Sequence, residues 1–422
     1  MTHRRSRPDN RPESLRTRPC RLLAATLAAL GLSATAWGTV VPEITAQSAI
    51  VIERDTGEVL YEKNADVPRP VASLTKIMTA IVAMENRPKA GMSVISQRAA
   101  DTREATAHLK AGTRVPFDDL MAMILLPSAN DAAVAVAENV AGSQAAFVTL
   151  MNQTADRIGC ADTHFANPHG LDADNHYSSA RDLALLCRHF LSFPPLRQLV
   201  ASREVTIADP NHPGETVKLE NRNSLLTWRK DVDGIKTGTT KGAGECLAAS
   251  ARRGDRGYIV VVLNSEGRLS ETDQLLTWAF DTFEMLPVLV QGDVVTTTPL
   301  AHGEKREIAV APAGTLELLM RVDRPPPEPL LLQTLFEAPV RRGQAIGQFQ
   351  LTYRGLSHHV PAVAAEDVPE EWWRRAFGWP QGVLVVGSAL LLSISSGMIA
   401  HRALQRPKPR PAARRPRPRR AH

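Results

Sequence analysis

Three short stretches of this 422-residue chain hold residue types that can make and activate a nucleophile. The first is Ser73-Leu74-Thr75-Lys76, a hydroxyl three residues before an amine. Leu74, Ile77, Met78 and Ile81 fall at i, i+3, i+4 and i+7, which predicts an amphipathic helix, with Pro68 and Pro70 at its opening. Lys76 then lies one turn on from Ser73, on the same side, among apolar neighbours where a charge is costly. Alone, the pattern is common and reads as an N-cap serine and a snorkelling lysine. Two further motifs change that balance. Ser128-Ala129-Asn130 follows an apolar helical run, and Lys236-Thr237-Gly238, followed by Thr239, opens a strand-like run. Each is common by itself. The ordered set, separated by 55 and then 108 residues, is specific.

The chemistry needs these residue types. A serine hydroxyl is a poor nucleophile until a base takes its proton. Lysine is that base only when neutral. Bringing its pKa from about 10.4 to near 7 takes a shift of about 3 units, roughly 4–5 kcal/mol. Desolvation on an apolar face and a second cation, here Lys236, both push that way. Ser128 can relay a proton between Lys76 and a leaving amine. Asn130 can hold a substrate amide. Lys236 and the Thr237 hydroxyl can bind a carboxylate, and the backbone N–H groups of Ser73 and Thr239 can form an oxyanion hole.

The formal charge of +6 is misleading as a guide to partners. Residues 1–21 carry +5 and residues 402–422 carry +9, which leaves −8 between them. The basic residues are in the tails, so a nucleic-acid surface is not indicated. Residues 1–36 read as a secretory signal peptide: an Arg-rich stretch, the short apolar run Leu22–Leu32, and Ala34-Thr35-Ala36 as the cleavage signal. Cys20 precedes the apolar run, a poor place for a lipid-bearing cysteine. Cys160, Cys187 and Cys246 remain, an odd number. Cys187 shares a helical face with Leu183, Leu186 and Phe190, as a small buried hydrophobe would. No CxxC or zinc spacing occurs, so no metal site is expected.

Those catalytic candidates need elements to hold them. Residues 48–62 alternate around Asp55-Thr56-Gly57, a strand–turn–strand hairpin. Helical patterns dominate from Ser73 to about Phe190, clearest over 120–126 and 132–140. Ser179-Ala180-Arg181-Asp182 opens one of them with a cap. Strands return at GIKTGTT, ECLAASARR and GYIVVVLN, and a last helix, ETDQLLTWAFDTF, ends near Glu284. The order implies an α+β fold, an antiparallel sheet packed against helices. We assign 37–286 to this domain. Residues 287–367 show only short strand patterns, VLVQGDVV, EIAVAPA, LELLMRV and IGQFQLTY, and read as a small all-β domain. Residues 368–402 hold Trp372, Trp373, Trp379 and the uncharged run Val383–Ala400, which reads as a C-terminal membrane segment. Residues 403–422 form a basic Pro/Arg-rich tail on its cytoplasmic side, suited to anionic head groups.

The chain resembles the low-molecular-mass penicillin-binding proteins, the serine D-alanyl-D-alanine carboxypeptidases. The likeness runs through SAIVIERDTGEVLYEKNAD, PVASLTKIMTA, LLPSANDAAVAVAE, THFANPHGLDADNHYSSARDLA, DGIKTGTTKGAGECLAASA and APVRRGQAIG, roughly residues 44–367. It implies a β-lactamase/transpeptidase-like fold. It implies an acyl-enzyme on the serine, peptidoglycan stem peptides as substrate, β-lactams as inhibitors and no cofactor. It places the roles above on Ser73, Lys76, Ser128, Asn130, Lys236, Thr237, Gly238 and Thr239. It also implies a carboxylate-binding arginine near the start of the last helix, which is Arg268 in EGRLSETDQLL. His169 and His176 are read as structural. The family often holds the membrane through an amphipathic C-terminal helix, whereas this chain has an apolar segment and a basic tail. Exported and anchored, the body would stand outside the cytoplasmic membrane, in the bacterial envelope.

Three rival readings differ in class. A class A β-lactamase also needs a deacylating glutamate, usually in an E-x-x-L-N string, and none lies between Asn130 and Lys236. A D,D-endopeptidase acting on cross-links would share the site. A non-catalytic scaffold that binds β-lactams would leave Ser73, Lys76, Ser128 and Lys236 idle.

Overall fold

The computed structural model describes residues 40–88, 91–333 and 335–377. The expected export signal (1–36), apolar span (383–400) and basic tail (403–422) lie outside the described residues. Among the described residues no single helix is long and apolar enough to cross a membrane. The chain divides into two compact units.

The first unit runs to Glu284 and includes Arg321–Asp323. It opens with the hairpin β1 (Ser48–Glu53) and β2 (Val59–Lys63), followed by a 3₁₀ turn, Ala72–Leu74, that leads into α1 (Thr75–Glu85). Then come β3 (Met92–Val94), α2 (Gln97–Ala100), β4 (Arg114–Pro116), α3 (Phe117–Leu125), α4 (Asn130–Ala141), α5 (Gln144–Ile158), α6 (Ala180–Leu191) and α7 (Pro194–Ala201). The hairpin β5 (Glu204–Ala208) and β6 (Thr216–Glu220) and the turn of helix α8 (Leu225–Trp228) precede three long strands. These are β7 (Val232–Thr240), β8 (Gly244–Arg253) and β9 (Arg256–Ser265), and α9 (Arg268–Thr282) closes the run.

One antiparallel sheet, in the order β2-β1-β9-β8-β7, organises this unit. Successive side chains on a strand face opposite ways, and here both faces are covered. Ile50, Ile52, Ile235, Ile259 and Val261 join the core built by α1 and α3 to α7. Ala49, Val51, Val260 and Val262, of the other parity, are equally buried, and α9 lies against β9, β8 and β1 on that side. That is why β1 is buried at all six positions rather than alternating. The strand β7 is an edge of the sheet, with one side of its backbone unpaired by any other strand.

Helix α1 differs from the expected amphipathic helix. Nine of its 11 residues are buried, so it is central and covered on all sides. Thr75, Lys76 and Thr79 are polar yet buried, and Lys76 and Lys236 rank among the largest fully buried side chains. Ser73 makes no capping bond to α1, whose N-cap is Leu74, so it does not serve as the N-cap serine. By contrast Ser179 does cap α6, its hydroxyl accepting from Asp182 N, worth about 1 kcal/mol. Helix α9 begins at Arg268, earlier than its apolar pattern, while Phe283 and Glu284 already belong to the next strand. Cys160, Cys187 and Cys246 are buried and free.

Among the described residues, the second unit comprises Met285–Met320 and 324–377 without 334. Its strands are β10 (Phe283–Leu289), β11 (Thr296–Ala301), β12 (Glu307–Pro312), β13 (Leu316–Arg321), β14 (Leu330–Gln333), β15 (Phe336–Glu337), β16 (Ala345–Tyr353) and β17 (Leu356–Ala364). A short helix, α10 (Trp372–Phe377), follows. Six strands form one sheet, β14-β16-β17-β12-β11-β15, around Ile308, Val310, Phe349 and Ala362. β10 and β13 make a separate ribbon. Within VLVQGDVV only Val288 and Leu289 are strand. Residues 290–295 form a connection in which Val294 is exposed. β11 and β17 escaped the pattern reading, because TTTPLA is nearly all small and polar and His358-His359 breaks the alternation of β17.

Candidate active site

The first unit brings the three motifs to one cleft of about 110 Å³. Its walls include Ser73, Ser128, Asn130, Thr237, Gly238 and Thr239. Ser73 sits in the 3₁₀ turn just ahead of α1, Ser128 lies between α3 and α4, and Thr237–Thr239 come from the edge strand β7. Gly238 explains how closely strand and turn approach. A Cβ there would lie 2.9 Å from Ser73 N and 3.2 Å from Val71 O. Glycine lets the β7 backbone pass beside the Ser73 amide.

Lys76 is fully buried behind this wall. Its Nζ lies 3.0 Å from Ser73 Oγ, 2.7 Å from Asn130 Oδ1 and 2.7 Å from the His169 carbonyl oxygen. An ammonium would donate to all three; a neutral amine would donate to Asn130 Oδ1 and His169 O and turn its lone pair to the Ser73 hydroxyl. Burial, then the charges of Lys236 and Arg222, hold the Lys76 ammonium well below the usual lysine range, against the opposing pull of Asp131 and Glu104. Lys236 is likewise buried, and its pKa is pushed down to about 7 by desolvation, then by Arg222 and Arg268. Its Nζ donates only to the Thr237 carbonyl oxygen, at 3.2 Å, among the described residues.

Ser128 is held at φ +69, a conformation a non-glycine residue rarely adopts. Its buried Oγ has no hydrogen-bond partner among the described residues. Such strain costs of order 1–3 kcal/mol and persists only where the surroundings enforce it. The hydroxyl is therefore available to a group entering the cleft. Asn130 is more engaged than a free substrate clamp. Its Oδ1 accepts from Lys76, and Nδ2 donates to Arg103 O at 3.2 Å, which leaves one Nδ2 hydrogen. Arg268, the first residue of α9, donates to Gly238 O at 2.8 Å and Thr239 Oγ1 at 2.6 Å. It braces the end of β7 and also lines the cleft.

The supports come from residues the motifs do not contain. His176 Nδ1 accepts from Ala166 N at 3.0 Å. That leaves Nε2–H to donate to Thr75 Oγ1 at 2.7 Å, and Thr75 donates to Ala72 O at 2.9 Å. This chain of bonds pins the turn that carries Ser73. Burial lowers the His176 pKa to about 4 and the His169 pKa to about 3, so both rings are neutral at pH 7. Gly170, at φ +89, lies against the same turn, and a Cβ there would collide with the Ala72 carbonyl. Asp131 accepts from Ala107 N and Leu109 N, at 2.9 and 3.0 Å, and so fixes the loop whose Glu104 and Ala105 line the cleft.

A family match to the D-alanyl-D-alanine carboxypeptidases spans residues 35–267. D-alanyl-D-alanine carboxypeptidase DacA of Escherichia coli K12 is 36% identical over 353 residues, 78% of this chain and 85% of that protein. DacF of Bacillus subtilis is 31% identical over 335 residues, 76% of this chain and 86% of its own length. This chain belongs to the D-alanyl-D-alanine carboxypeptidase family. The crystal structure of the carboxypeptidase DacD from Francisella tularensis superposes with a TM-score of 0.62 at 28% identity, covering 79% of this chain and 96% of that one.

Within this carboxypeptidase family member, Arg222 is a charged cleft residue that sequence reading missed. It lines the cleft and bears on both buried lysines. It sits in the connection between β6 and α8, where no motif or period marks it. Glu104, at φ +68, was missed for the same reason. A further grouping also escaped notice: Asp209, His212 and Glu215 bring one ligand atom each within 4.8 Å at the exposed β5–β6 turn. None of the three lines the cleft.

Proposed function

We propose that this protein removes the terminal D-alanine from peptidoglycan stem pentapeptides through an acyl-enzyme on Ser73. One observation carries the reading: a neutral-leaning, fully buried lysine amine faces the hydroxyl of Ser73 at 3.0 Å. Lys76 takes the Ser73 proton as Oγ attacks the carbonyl carbon of the penultimate D-alanine. The developing oxyanion is met by the N–H groups of Ser73 and Thr239. Collapse breaks the C–N bond, and the proton reaches the departing D-alanine amine by way of Ser128. Lys76 then takes a proton from water as the water oxygen attacks the ester carbon; the C–Oγ bond breaks, Lys76 returns the proton to Ser73 Oγ, and the shortened peptide leaves.

Lys236, Thr237 and Arg268 hold the terminal carboxylate, and Asn130 offers its remaining N–H to the peptide. The unpaired edge of β7 suits a substrate that lies alongside as an extra strand. β-Lactams acylate the same serine. We place the reaction in the first unit, with the β unit as an appended domain. We also place the protein at the outer face of the cytoplasmic membrane, exported by residues 1–36 and held by residues 383–400.

The test compares the full chain with Ser73→Ala on a stem pentapeptide ending in D-Ala-D-Ala, following free D-alanine. Penicillin-sensitive release by the wild type, absent in the variant, is expected. Release that survives in Ser73→Ala would falsify the nucleophile assignment. Penicillin labelling without D-alanine release, combined with cleavage of cross-linked dimers, would move the activity to endopeptidase.

A further inference from the structure

The first unit also has a larger hollow, of about 590 Å³, that shares no lining residue with the cleft. Five arginines line it, Arg54, Arg157, Arg188, Arg197 and Arg252, with Asp55 as the one acidic residue of the lining. They come from five separate places: the end of β1, the last turn of α5, the C-terminal half of α6, the middle of α7 and the end of β8. Part of their charge is matched. Arg54 pairs with Asp233 at 2.6 Å, Arg157 with Glu85 at 2.5 Å, and Arg252 with Asp55 at 3.4 Å.

Two of the charges have no acidic partner among the described residues. Arg188 donates to the carbonyl oxygens of Arg54 and Asp55, at 3.1 and 2.7 Å. Gly57 leaves it room, since a Cβ there would lie 2.5 Å from Arg188 Nη1. The Arg197 side chain makes no hydrogen bond or ion pair among the described residues. Cations at helix C-termini answer the helix dipole, which accounts for Arg157 and Arg188. It does not account for Arg197 within α7 or for Arg252 on a strand.

We propose that this hollow is a second binding site, which takes a phosphate-bearing anion. A carboxylate is satisfied by one bidentate arginine in one plane. A phosphate presents oxygens in several directions, and guanidinium groups converging from several elements suit it. The cluster also stands in a body whose net charge is −8 once the two basic tails are set aside, so it is a local field rather than part of a general basic surface. The anion could be a lipid head group or a free polyphosphate, which share this chemistry. The inference does not depend on the activity proposed above.

The experiment uses the full chain and the double variant Arg197→Gln/Arg252→Gln, whose two side chains hold no buried partner. Calorimetry with inorganic pyrophosphate is expected to give one site per chain, weakened tenfold or more in the double variant. Competition calorimetry with soluble glycerophosphoglycerol, the head group of phosphatidylglycerol without its acyl chains, identifies the source. Displacement of pyrophosphate by it, lost in the double variant, assigns the site to a head group, and pyrophosphate binding that it does not displace assigns it to a free polyphosphate. Equal binding by wild type and variant, or no binding of either probe by the wild type, overturns the proposal. Labelling of Ser73 by a fluorescent penicillin at an unchanged rate checks that the variant is folded. Arg188→Gln provides an independent second variant with the same expected loss.

Discussion

Lys76 and Lys236 set opposite demands on pH. In the proposed mechanism Lys76 takes the serine proton only when neutral, so kcat/KM is expected to rise with pH through its pKa. Lys236 holds the carboxylate only when charged, so kcat/KM is expected to fall as pH rises through about 7. A bound carboxylate raises the Lys236 pKa, and the alkaline limb of kcat should therefore lie at higher pH than that of kcat/KM. Lys236→Arg keeps the charge and is expected to remove the alkaline limb near 7 while leaving measurable turnover. Arg222→Gln deletes a positive charge that helps hold Lys76 down. Its acid limb should move to higher pH, and an unmoved limb would separate Arg222 from the lysine electrostatics. Stopped-flow acylation by a chromogenic β-lactam across pH reads all three. The lysines were legible because Ser73, Ser128 and Lys236 each open a motif of fixed order. Arg222 was not, because only the folded chain brings a residue of the β6–α8 connection to that cleft.

The placing elements are held by close backbone approaches, and glycine marks them. Gly238→Ala puts a methyl group 2.9 Å from Ser73 N. Because β7 is an edge strand it can shift outward, so the fold should survive while the oxyanion hole opens. Acylation by fluorescent penicillin is expected to slow about 100-fold or more, roughly 2.7 kcal/mol. Gly170→Ala differs, since it combines a left-handed φ with a collision against the Ala72 carbonyl. It should cost about 3 kcal/mol of stability or more, read as a lowered denaturation midpoint. A Gly170→Ala protein as stable as wild type would show that the 3₁₀ turn yields. At this scale the sequence period located helices and long strands but misjudged their surroundings. The i, i+3, i+4 stripe of α1 looked amphipathic because Lys76, Thr75 and Thr79 are polar. They are buried because the site and its supports, not water, take up their hydrogen bonds. Residues 290–295 looked like strand because valine is frequent there, while Gly292 turns the chain at φ +84.

For the whole molecule, the site is a stability cost with a definite pH sign. Lys76, Lys236, His169 and His176 all have folded pKa values below their unfolded ones. Each binds more proton when unfolded, so each makes stability rise with pH. His176 acts between about pH 4 and 6.5 and His169 between about pH 3 and 6.5, at about 1.4 kcal/mol per pH unit each at most. Lys236 acts from about 7 to 10.4 and costs about 4–5 kcal/mol at pH 7 and below. Lys236→Met is therefore expected to be inactive yet more stable than wild type at pH 7, with the difference closing above about pH 10.4. Thermal melts at the two pH values check this, and a constant difference would refute the linkage. The second unit was legible as β from its short strand patterns, but its strand order was not, because pairing of β12 with β17 depends on contacts 50 residues apart. The three cysteines have a practical consequence. Burial holds each thiol well above its ordinary pKa, so the described body is silent toward maleimides and similar reagents. A single cysteine placed at exposed Glu104, on the rim of the cleft, would then carry a dye alone, and antibiotic occupancy could be followed by light in real time.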